Sequence, residues 1–149
     1  MIMKKSVFVT LFMFFSLAAA HAQKSEIFEK DGLAIRGYDV VAFHTDARAT
    51  KGSEKFAYRW KDTNWLFANQ ENLDMFKNEP EKFAPQYGGY CAYGTADGHK
   101  APTETDTWTI KDNKLYFNYN KKVQQIWNKD QAGYIEKADK NWVEIREKP

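Results

Sequence analysis

The chain has 149 residues, of which 43% are hydrophobic and 28% charged, with a formal net charge of +2. That length suits one domain, and that balance excludes both a membrane bundle and a disordered chain. Eight glycines and four prolines exclude collagen-like and low-complexity architectures.

Taken from the N-terminus, Met1–Lys5 is a short basic segment, and Ser6–Ala20 is mostly apolar. Ala20-His21-Ala22 then offers the small–any–small pattern of a signal-peptidase site. The apolar run is too short to remain across a bilayer. Residues 1–22 therefore read as a secretory signal cleaved between Ala22 and Gln23, which leaves no stable membrane anchor. Cleavage leaves 127 residues, 23–149, as one domain. It removes Lys4 and Lys5 and no carboxylate, so the 22 basic residues fall to 20 and match the 20 acidic ones. A neutral chain gives no electrostatic case for nucleic acid. A periplasmic or secreted protein follows, with Cys91 as its lone thiol and hence no internal disulfide.

Gln23–Asp31 reads as a loose entry arm, and Ala34–His44 as extended chain broken at Gly37. Phe56, Tyr58 and Trp60 alternate with Ala57, Arg59 and Lys61, the period of a half-buried strand. A turn at Asp62-Thr63-Asn64 returns the chain through Trp65-Leu66-Phe67 as a hairpin. Asn69 is placed to cap a helix to about Asn78. Glu79-Pro80 opens a second short helix, with Phe83 and Tyr87 on its inner face and Gly88-Gly89 as its stop. Trp108 and Ile110 lead through Asp112-Asn113 into Leu115-Tyr116-Phe117, a second hairpin. Asn120 caps a helix carrying Val123, Ile126 and Trp127. Gly133 interrupts it weakly before a last face of Ile135, Ala138 and Trp142. Hairpins and helices mix without a βαβ rhythm, so the expected fold class is α+β, a small single domain.

Beyond the signal the chain keeps two histidines, His44 and His99, which with Cys91 complete its imidazoles and thiols. Two imidazoles and a thiolate suit copper or zinc, and Met75 could add a weak axial ligand to copper. The ordinary alternative is two surface histidines, a buried thiol and a core methionine. A thiol enzyme would pair Cys91 with a histidine base oriented by Asp39 or Asp97, although no nucleophile motif accompanies them. Tyr38, Asp39, Tyr87, Tyr90 and Tyr93 crowd the same segments and could line a pocket for a small ligand, or simply pack. Phosphate loops and dinucleotide fingerprints are absent from the sequence.

Three strings resemble exported bacterial YHS-domain proteins. They are Gly37-Tyr38-Asp39-Val40-Val41-Ala42-Phe43, the stretch Asn78-Glu79-Pro80-Glu81-Lys82-Phe83-Ala84-Pro85-Gln86-Tyr87-Gly88-Gly89-Tyr90-Cys91-Ala92-Tyr93, and Lys114-Leu115-Tyr116-Phe117-Asn118-Tyr119. Shorter matches at Lys51-Gly52-Ser53, Trp65–Ala68 and Lys137–Trp142 extend the resemblance over most of residues 23–149. It implies a small α+β module in the periplasm of a Gram-negative bacterium. Versions associated with metal transport look as if they carry paired cysteines, whereas this chain has Cys91 alone. The expectation is a YHS-type binding protein holding copper or zinc through His44, Cys91 and His99. The alternatives are a non-metal ligand or protein-interaction module with an aromatic pocket, and, third, a thiol enzyme.

Overall fold

The computed structural model describes residues 25–149, an α+β domain. The leader read from residues 1–22 lies outside them. Three hairpins organise the strands. β1 (Glu29–Lys30) pairs antiparallel with β2 (Leu33–Ala34), β3 (Ser53–Trp60) with β4 (Thr63–Phe67), and β5 (Thr109–Lys111) with β6 (Lys114–Tyr116). Each turns on two residues at positive φ: Asp31-Gly32, Lys61-Asp62 and Asp112-Asn113. Such turns match the right-handed twist of paired strands. A single parallel contact, Leu33 opposite Asn64, joins the first two hairpins into a sheet of order β1-β2-β4-β3, while β5 and β6 form a separate ribbon.

Polar side chains start the helices. Asn69 accepts from Asn72 N at 2.8 Å and opens α2 (Gln70–Asn78), and Asn120 accepts from Val123 N at 2.9 Å and opens α5 (Lys121–Asn128). Both caps are those the sequence predicts. α3 (Pro80–Phe83) begins on its proline, which occupies a position where no N–H is needed. α4 (Ala92–Ala96) is capped by Cys91, and α6 (Gln131–Ile145) by Asp130, whose carboxylate accepts from Gly133 N at 3.1 Å.

Several expectations are corrected. Ala34–His44 is not extended: α1 (Val40–Thr45) occupies its second half, because the Asp39 side chain accepts from Val41 N and Ala42 N and turns a β-branched run into a helix. The hairpin turn lies one residue earlier than read, so Thr63 and Asn64 belong to β4. α3 ends at Phe83, and Tyr87 sits in a following turn over Gln86–Gly89, so the two do not share a helical face. Gly133 lies in the first turn of α6 and interrupts nothing. The entry arm is packed rather than loose: Ile27 and Phe28 are buried.

Two hydrophobic cores result. The larger gathers Phe43, Trp65, Phe67, Phe76 and Phe117 under the four-stranded sheet, with Phe56, Tyr58 and Trp60 half-buried against it. The smaller gathers Tyr87, Ala92, Tyr116, Trp127 and Ala138 between α4, α5 and α6. β6 and the residue after it serve both. Leu115 and Phe117 enter the first core and Tyr116 the second, because successive strand side chains point to opposite faces. The cleft described below opens along this junction.

Candidate binding cleft

The residues proposed for metal binding come from α1 and from the two ends of α4. Cys91 is 1% exposed. Its Sγ accepts from Gly94 N at 3.4 Å and Tyr119 N at 3.2 Å, and lies 3.6 Å from Asn118 Oδ1. Burial pushes the thiol pKa up, against the opposing pull of backbone N–H groups of Gly94, Tyr119 and Tyr93. The sulfur is thus occupied in closing α4 and the Tyr119 backbone, and its burial shields it from oxidation. His44 is in the last turn of α1, its ring 5.4 Å from that of Phe83 in an edge contact. Burial holds its pKa below the usual histidine value, with a hydrogen bond to the Phe83 backbone opposing and Lys82 adding to the lowering. His99 follows α4, with a side chain 59% exposed and Nδ1 3.6 Å from Asp97 Oδ2.

A thiolate–imidazole site needs all its donors aimed at one centre about 2.0–2.3 Å away. Among the described residues no group of three or more His, Cys, Asp or Glu side chains could hold a metal ion. Among those residues His44, Cys91 and His99 are therefore not gathered into a three-ligand metal group. Met75 packs against the larger core.

The proposed pocket residues also disperse. Asp39 is fully buried, and its carboxylate accepts four hydrogen bonds: Oδ1 from Val41 N and Ala42 N, Oδ2 from Ala68 N at 2.9 Å and Asn72 Nδ2 at 2.8 Å. With every ordinary acceptor direction used, it ties α1 to the start of α2 and has nothing left for a ligand. Tyr38 borders a depression with Leu33 and Lys51, and Tyr93 another with Tyr134 and Lys137. The Tyr90 hydroxyl donates to Ser25 O at 2.7 Å and so anchors the N-terminal segment.

Tyr87 alone of that set faces a cleft of about 350 Å³, one of several on the described surface. Four stretches distant in sequence build it. The N-terminal segment brings Glu26 and Ile27, the β3–β4 corner brings Trp60 and Lys61, the α3 region brings Glu81 through Gly88, and α6 brings Asp139 and Trp142, with Lys114 of β6 at the side. The floor is a left-handed turn in which Tyr87, Gly88 and Gly89 all have positive φ, of 56°, 61° and 86°. The Tyr87 hydroxyl donates to Asp139 Oδ1 at 2.8 Å and so joins floor to wall. Burial first, then the Asp139 bond, raises the Tyr87 pKa. Lys61 Nζ lies 2.8 Å from Glu26 Oε1 and 3.8 Å from Glu81 Oε1.

Half-buried indoles beside unburied carboxylates and amines make a surface that can hold a small molecule by apolar contact and charge together. Sequence reading missed Trp60, Lys61, Glu81, Asp139 and Trp142 because no local spacing connects them. The one local signal was Tyr87 immediately before Gly88-Gly89, a bulky residue set in a turn that glycines permit. Compared with protein-family models, curated proteins and solved structures, the chain shows no significant match.

Proposed function

We propose that the protein is a small binding module of the exported YHS type that its sequence resembles, working in the periplasm or outside the cell, and that it holds a non-metal small ligand in the cleft between its two cores. The observation that carries this reading is convergence. Two tryptophans, a tyrosine, three carboxylates and two lysines from five segments line one cavity of a volume suited to a metabolite-sized ligand.

The test is a titration of 15N-labelled protein with a panel of small amines, organic acids, sugars and aromatic compounds, following the indole resonances. A ligand should shift Trp60 and Trp142 together, and Trp142→Ala should weaken it at least tenfold. If no compound of any class moves either indole, the reading fails. Copper(II) and zinc(II) added separately discriminate the Cys/His alternative, which expects shifts at His44 and His99 and their loss in Cys91→Ser.

A further inference from the structure

The cleft already contains a cation, and it is the chain's own. Lys61 is the first residue of the β3–β4 turn, at φ 47°, a left-handed position that favours asparagine or glycine over a long side chain. Its ammonium lies 4.9 Å from the Trp60 ring centroid, 2.8 Å from Glu26 Oε1 and 3.8 Å from Glu81 Oε1. An aromatic face flanked by two carboxylates is the environment that recognises an organic ammonium group.

We propose that this corner of the cleft is an ammonium-binding cage that Lys61 fills in the free protein, and that the ligand is an organic amine which displaces Lys61. The inference rests on the cleft being the binding site. The Lys61 side chain is 33% exposed, its nearer partner Glu26 34% and Glu81 78%, so solvent reaches both ion pairs. Pairs of that kind hold weakly, by about 0–1 kcal/mol, which makes the lysine displaceable. A tethered side chain nevertheless competes at an effective concentration of order millimolar. A ligand must therefore offer contacts beyond a single ammonium group, and the remaining wall supplies them: Asp139 and the half-buried Trp142. Charge points the same way. Glu26, Glu81 and Asp139 face Lys61 and Lys114, and withdrawal of Lys61 leaves three carboxylates against one lysine. That imbalance favours a ligand carrying one or two positive charges.

The experiment compares n-butylammonium, which reproduces the lysine side chain, with uncharged n-butanol at constant ionic strength. Binding is read from the Trp60 and Trp142 indole resonances of the wild type, Lys61→Gly and Lys61→Gly/Glu81→Gln. Glycine suits the positive φ of the turn, so the variant removes the plug without straining the hairpin. Lys61→Gly should bind n-butylammonium at least tenfold more tightly than the wild type does, and at least tenfold more tightly than it binds n-butanol. Adding Glu81→Gln should reverse at least threefold of that gain. Equal affinity in Lys61→Gly and wild type overturns the proposal, as does equal binding of the alcohol. If amines fail while sugars or acids shift the same indoles, the amine assignment falls and the cleft reading stands. If no class of compound shifts them, both fall.

Discussion

Gly88 stands where two backbones nearly touch. Its φ is 61°, and a Cβ placed on it would collide with the carbonyl oxygen of Glu26. Phe28 N donates to Gly88 O at 2.8 Å, so neither strand can give way without losing that bond. Gly88→Ala therefore combines left-handed strain with a backbone clash and should cost about 3 kcal/mol or more, read as a lower urea midpoint. His44 supplies a second test at this scale, against the Phe83 backbone and Lys82. Its imidazole titrates below the unfolded value of 6.5 because burial disfavours the charge. The unfolded chain then takes up a proton that the folded one refuses. The neutral-histidine contribution is present above pH 6.5 and is lost as pH falls through the folded pKa. His44→Gln should flatten the fall in stability below that pH, measured as denaturation midpoint against pH.

At the scale of elements, the helices depend on caps that also reach across the fold. Asp39 starts α1 and simultaneously binds Ala68 N and Asn72 Nδ2 at the head of α2. Asp39→Ala would strand four donors in a fully buried place, for a loss of about 3 kcal/mol or more. Hydrogen exchange should show α1 and the first turn of α2 loosening together. Cys91 does the same for α4, its sulfur accepting from the Gly94 amide and from the Tyr119 amide 28 residues further along the chain. Cys91→Ala should cost about 2 kcal/mol in denaturation midpoint, because both N–H groups lose their acceptor. Native Cys91 should also react with a bulky thiol reagent far more slowly than the unfolded chain does. Lys100 closes the other end: its Nζ donates to Arg146 O at 2.6 Å and Lys148 O at 2.8 Å, a cation set against the C-terminal end of α6.

Across the whole molecule, tyrosines bind the smaller core to its surroundings, and three of them are held protonated by burial. Tyr90 and Tyr116 are each pushed up to about 12, with the charge of Glu29 and of Asp139 respectively adding to burial. Tyr87 is raised as well, by burial and then by its bond to Asp139. The unfolded chain releases these protons near pH 10 while the folded chain retains them. Stability is therefore complete below pH 10 and falls as pH rises toward 12, by roughly 4 kcal/mol per pH unit if all three act together. Tyrosinate absorbance and far-UV circular dichroism should change in one cooperative step. Independent tyrosine titration near pH 10 with the fold intact would contradict this account.

Local signals in the chain carried the α+β class, the aromatic inner face of β3, the Asp112-Asn113 turn and the Asn69 and Asn120 caps, since each rests on neighbours a few residues apart. The same logic misplaced Ala34–His44. The β-branched residues Val40 and Val41 favour a strand, whereas the helix there depends on Asp39 being buried against Ala68 and Asn72, more than 25 residues away. Grouping His44, Cys91 and His99 was a question of distance that composition alone cannot answer, and packing gives each its own surroundings: a ring against Phe83, a sulfur bound by two amides, and an exposed imidazole. The sequence by itself determined the β3–β4 and β5–β6 hairpins and the α2, α5 and α6 helices, because hydrophobic period and capping are short-range. Only the tertiary structure decided where the cleft lies, because its walls meet through the packing of two cores and the close approach of Glu26 to Gly88.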